Sequence, residues 1–125
     1  MGVLARLFGS ERESAVESDE RALFRYRHVL RCAPVESLEQ AHSEAFGQLA
    51  ERHRAAIYEE LSRGAGTGER PLSSEPATLA RSATRAERRV PGALERTLRS
   101  ADLLEPVVDH VTGSPLVSAF LPWNG

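Results

Sequence analysis

The sequence predicts an all-α protein, a small bundle of five or six short helices with a flexible Gly/Pro/Ser linker at about 64–76. Three observations carry this expectation. Apolar residues recur at three- and four-residue steps, so that at 100° per residue they share one helical face. Pro34, the stretch 64–76, Pro91-Gly92 and Gly113 cut the chain into segments of helix length. The chain is 41% hydrophobic but only 6% aromatic, and alanine supplies much of the apolar material, which suits closely packed helices. At 125 residues the expectation is one domain. Within it, residues 1–18 read as a mobile lead-in, 19–63 as a first helical block, 64–76 as a linker, 77–113 as a second block and 114–125 as an apolar tail.

Val3, Leu4, Leu7 and Phe8 can line one side of a short amphipathic turn, whose single Arg6 gives weak attraction to anionic lipid. Glu11, Glu13, Glu17, Asp19 and Glu20 make the next stretch acidic. Ser18 or Asp19 can cap the first long helix, where acidic residues complement its dipole. Leu23, Tyr26, Val29, Leu30 and Ala33 share its buried face, while Phe24 falls off the stripe beside Arg27 and Arg31. Phe24 is therefore a candidate partner contact, although packing against the N-terminal turn also accounts for it. Pro34 ends this helix and opens the next.

In the second helix Val35, Leu38, Ala41, Ala45, Phe46 and Leu49 form the apolar arc, with His42 at its centre and Glu39 at its edge. In the third, Ala56, Ile57 and Leu61 share a face with His53 and Glu60. A turn near Gly47–Glu51 makes the two helices antiparallel and sets His42 opposite His53. A buried polar group without a partner costs about 1–3 kcal/mol, so Glu39, His42, His53 and Glu60 are expected to bond to one another or to backbone. Glu39-Gln-Ala-His42 also fits the Glu-x-x-His spacing of ferritin-like metal helices, but that fold needs two copies and two further glutamates. Zinc needs a third or fourth ligand, for which Cys32, His28 and His110 are candidates by composition alone. A satisfied core pair is the favoured reading, and no cofactor is expected.

Gly64 to Pro76 holds three glycines, two prolines and two serines, with no phosphate-loop pattern. Beyond it, Leu79, Ala83, Ala86 and Val90 alternate with the opposite stripe of Arg81, Arg85, Arg88 and Arg89. This arginine face suits solvent or an acidic partner better than lipid, because the apolar side is mostly alanine. Pro91-Gly92 precedes a fifth helix with Leu94, Leu98 and Ala101, and Asp102/Glu105 have capping-box spacing ahead of a sixth. The uncharged tail carries Leu116, Val117, Phe120, Leu121 and Trp123. It either folds back on the bundle, the slightly favoured option, or inserts into a partner, as buried tryptophan anchors do.

Sixteen basic against eighteen acidic residues leave a net charge of −2, which gives no general attraction to nucleic acid. All the basic residues are arginine. Cys32 is the only cysteine, so an internal disulfide is impossible and a cytoplasmic setting is favoured. No secretory signal is read at Met1–Phe8, and no run reaches the roughly 20 apolar residues of a membrane span. At most peripheral membrane contact is expected.

The blocks Phe24-Arg-Tyr-Arg-His-Val-Leu-Arg-Cys-Ala-Pro, Glu39-Gln-Ala-His-Ser-Glu-Ala-Phe46 and Arg52-His-Arg are followed by Glu69-Arg-Pro, Leu79-Ala-Arg-Ser-Ala-Thr-Arg-Ala-Glu87 and Pro91-Gly-Ala-Leu-Glu-Arg96. Over residues 23–99 they resemble a family of small uncharacterised actinobacterial helical proteins. The resemblance implies a helical pattern and no catalytic residues. Members usually turn between the second and third helices with Leu-Thr/Ser-Pro-Glu, where this chain has Leu49-Ala-Glu51, which leaves the sharpness of that turn open. Some relatives carry the label cation-transporting ATPase, a role that needs membrane spans and a phosphate site this sequence lacks. The expectation is a non-enzymatic protein–protein interaction module without nucleic acid, docking through the tail, the arginine face and Phe24. The alternative is a metal- or small-ligand-binding protein centred on Glu39, His42, His53 and Glu60.

Overall fold

The computed structural model describes the backbone of residues 2–64 and 70–121, with side chains from Glu17 onward. Six α-helices and a short 3-10 turn account for the described residues, without a strand among them: α1 (Gly2–Cys32), α2 (Val35–Gly47), α3 (Glu51–Gly64), α4 (Pro76–Arg89), α5 (Ala93–Ser100), α6 (Leu104–Thr112) and the turn Ser118–Phe120. The all-α expectation holds. No helix among the described residues is long and apolar enough to cross a membrane.

α1 does not begin at Ser18 or Asp19; it is continuous from Gly2, through the stretch expected to be a lead-in. Nothing between Gly2 and Cys32 breaks a helix except the tolerated Gly9, and Glu, Arg, Ala and Leu are good helix formers.

The core is assembled from one face of each helix. Tyr26 and Val29 come from α1, Leu38 and Phe46 from α2, Ile57 from α3, Leu79 from α4, Leu94 and Leu98 from α5, and Val107 and Val111 from α6. The most extensive helix pair is α2 with α4, whose buried faces carry Ala41 and Ala45 on one side and Ala80 and Ala83 on the other. Small side chains there let the two axes approach closely. α6 covers α1 and α2, while α3 lies on α4 and α5.

Local chemistry sets each boundary. Gln48 and Leu49 N–H donate to Ala45 and Phe46 carbonyls, and Ala50 O already receives His53 N–H, so the α2–α3 turn is sharp without proline. Arg54 adds a 2.7 Å bond to Leu49 O. Pro76 takes the first position of α4, where a missing N–H costs nothing. Between α4 and α5, the Glu87 carboxylate accepts Gly92 N–H and Leu94 N–H at 3.0 Å each, and Gly92 adopts the φ of +94° that the turn needs.

The Asp102/Glu105 capping box does not form; Leu103 occupies the N-cap of α6 with no side-chain cap. Asp102 instead closes α5. At φ +60° it lets Leu103 N–H reach Leu98 O at 2.8 Å while its own N–H reaches Arg99 O at 3.1 Å. That pair of bonds is a Schellman closure, normally given to glycine. Asp102→Gly is therefore expected to stabilise the fold by about 0.5–1 kcal/mol, the left-handed penalty relieved less the added unfolded-chain freedom. Urea unfolding measures it, and a destabilised variant would show that the Asp102 side chain has a native role that this backbone account omits.

Candidate functional site

His42 lies on the buried face of α2, as its place in the apolar arc requires, and is 0% exposed. One of its partners is backbone, as expected, and the other is a side chain of α1 in place of Glu39, His53 or Glu60. Nδ1 is 2.7 Å from Leu38 O one turn earlier, and a carbonyl only accepts, so Nδ1 carries the proton. The lone pair on Nε2 then faces the Tyr26 hydroxyl, which donates to it at 2.8 Å from α1. Burial pushes the imidazole pKa down to about 4, against the opposing pull of the Leu38 carbonyl. Burial first, then the fields of Glu87 and Glu95, raises that of the Tyr26 phenol. The pair is thus neutral and internally satisfied. With both side chains at 0% exposure, it is closed to substrate and works as a polar tie in the core.

The constellation of Glu39, His42, His53 and Glu60 is not assembled. Glu60 pairs with Arg63 at 2.6 Å on its own helix, while His53 and Glu39 are half-buried without a side-chain hydrogen bond among the described residues. The physical reason is the helix order: α2 turns its apolar face to α4 and α6, so α3 and His53 never face His42. Among the described residues no group of three or more His, Cys, Asp or Glu is arranged to hold a metal.

One acidic group is strongly fixed. Glu95 on α5 accepts Nε–H and NH2 of Arg27 at 2.8 Å each, a bidentate geometry suited to guanidinium, and a further 2.8 Å bond from Arg99. These bonds, Arg27's foremost, hold its pKa down to about 2 despite partial burial. The cluster ties α1 to α5 and leaves no free carboxylate for acid–base work.

The arginine face is where the sequence placed it. Arg81, Arg85, Arg88 and Arg89 are all exposed, and Leu79, Ala80 and Ala83 fill the core side of α4. Arg70 and Leu72 extend the face, forming with Thr78, Arg81, Ser82, Arg85 and Arg89 a surface depression of about 340 Å³. Leu72 is 95% exposed, more than any other large apolar residue described. Its position inside a Pro/Ser-rich connection hid it from periodicity reading, although an apolar residue isolated in such a stretch is itself a signal.

The other candidate contacts divide. Phe24 is 57% exposed and remains open to a partner. The tail folds back: Val117 is fully buried, and Leu116, Phe120 and Leu121 pack against the core. For these described residues this is the favoured fold-back, because an uncharged apolar segment beside α1 loses water-exposed area by docking in place, and the three side chains are left half-buried. Trp123 lies outside the described residues. No family model, curated protein or solved structure matches the chain.

Proposed function

We propose that this protein is a non-enzymatic, cytoplasmic interaction module that binds an acidic protein surface through the arginine face of α4. The observation that carries this reading is the single-sided array of Arg81, Arg85, Arg88 and Arg89, with Leu72 standing exposed beside it. Guanidinium groups donate to carboxylates in bidentate geometry, and an apolar side chain among them supplies the desolvated anchor that charged rims lack. The polar core pair has its hydrogen bonds filled internally, which favours an adaptor over an enzyme. The likeness to small actinobacterial helical proteins belongs to the same proposal.

The test is titration of the folded protein with a fluorescent peptide alternating glutamate and leucine, alongside duplex DNA of equal length. The expected result is salt-sensitive peptide binding that falls at least about tenfold in Arg85→Glu/Arg88→Glu, since opposed like charges cost more than the roughly 1.4 kcal/mol that a decade represents. DNA binding of equal or greater strength, lost in the same variant, would transfer the face to nucleic acid. No binding to either would end the reading.

A further inference from the structure

The reading above leaves the acidic partner open, and a second surface of the molecule supplies one. Between α1, α6 and the end of α5 runs a groove of about 550 Å³. Its apolar lining comes from Leu23, Leu104, Pro106 and Val108, and its charged rim from Asp19, Glu20, Asp102, Glu105 and Asp109. All five carboxylates are exposed, and none is ion-paired among the described residues. The basic residue in the groove, Arg99, is already held by Glu95 at 2.8 Å. The result is an apolar trough in a strongly negative field.

The arginine face has the complementary form. Leu72 projects 95% exposed, and Arg70, Arg81 and Arg85 stand around it. One surface is an apolar knob with a basic collar, the other an apolar trough with an acidic rim. They share no residue.

We propose that the acidic partner of the arginine face is the α1–α6 groove of a second copy of this chain, joined head to tail. This rests on the functional reading given above and names its partner. The alternative two-fold dimers, knob to knob or groove to groove, would set arginine against arginine or carboxylate against carboxylate, which disfavours them. The contact closes at two only if each knob enters the other copy's groove; used once per pair, it leaves one surface free at each end and continues into a ring or an open chain. Because the collar and rim are exposed, the contact weakens as salt screens them.

The experiment is sedimentation velocity on the full chain at rising concentration, in low and high salt, with two charge-altered variants. Leu72→Ser/Arg85→Ser removes the knob, and Glu105→Gln/Asp109→Asn removes the rim without creating a new complementary pair; all four positions are exposed, and circular dichroism confirms folding. The expected result is a wild-type average mass that rises with concentration and returns to monomer in high salt. Each variant alone stays monomeric. An equimolar mixture of the two forms a complex of twice the chain mass that grows no further, because only one intact knob–groove pair is then available. A mixture that stays monomeric, a wild type monomeric at every concentration, or self-association persisting in either variant would overturn the proposal. If the chain stays monomeric yet binds the acidic peptide, only the second-copy assignment falls. If it does neither, the functional reading falls with it.

Discussion

Acidification from about pH 6.5 to pH 4 is expected to remove about 3 kcal/mol of folding stability through the single side chain His42. The ordinary imidazole value of 6.5 falls to about 4 in the folded protein, because burial opposes the charged form. Between those values the unfolded chain holds a proton on His42 and the folded chain does not, so stability rises with pH across the window. It is fully present above about 6.5, is lost as pH falls toward 4, and changes no further from this group below that. Glu95 acts in a second, lower window. Its folded value of about 2 lies below the ordinary 4.5, so its contribution is present above 4.5 and is lost as pH falls toward 2. Urea midpoints at pH 7 and pH 4.5, measured for wild type and His42→Leu, test the first window. A wild-type midpoint that does not move, or a His42→Leu protein with the same slope, would show that His42 is not the group responsible.

Tyr26→Phe is expected to cost about 2 kcal/mol although it removes one oxygen and leaves the ring. The loss comes from the partner left behind: Nε2 of His42 keeps its lone pair in a fully buried site and has no donor. The account makes a further demand. In Tyr26→Phe/His42→Leu both polar groups are gone, and the double variant should be more stable than the sum of the single losses predicts, by about 1 kcal/mol or more. Equilibrium unfolding of the four proteins gives this coupling directly. Strict additivity, or a Tyr26→Phe protein within a few tenths of a kcal/mol of wild type, would mean that the hydroxyl and the imidazole do not depend on each other.

What local pattern encodes and what it does not is clear from individual residues. The ends of α2, α4, α5 and α6 were legible because Pro34, Pro76, Pro91-Gly92 and Gly113 punctuate the chain. The start of α1 was not, since no comparable signal separates an acidic helical stretch from an acidic lead-in. His42 was legible as a buried polar residue from its position on the apolar arc. Its side-chain partner was misread because it comes from α1, sixteen residues earlier, and no period within α2 reports which helix packs there. Tyr26 itself lay on the buried face of α1, and its hydroxyl needed a partner as much as the imidazole did. The arginine face was visible because one helix carries it whole. The acidic groove was not, being shared between helices at opposite ends of the chain.

The way the helices interleave has a consequence for how the chain is made. Among the described residues most of the extensive helix pairs join the first block to the second: α1 meets α6, α2 meets α4 and α6, and α3 meets α4 and α5, while α4 with α5 and α5 with α6 lie within the second block. No such pair joins two helices of residues 19–63 to each other. A nascent chain that has emerged only as far as Gly64 thus has the Tyr26–His42 contact between α1 and α2, but no α4, α5 or α6 to cover Phe46 and Ile57. Until α4 and the helices after it have left the ribosome, those faces stay open to solvent and to other nascent chains. Protection of the first half of the chain therefore depends on helices encoded in the second.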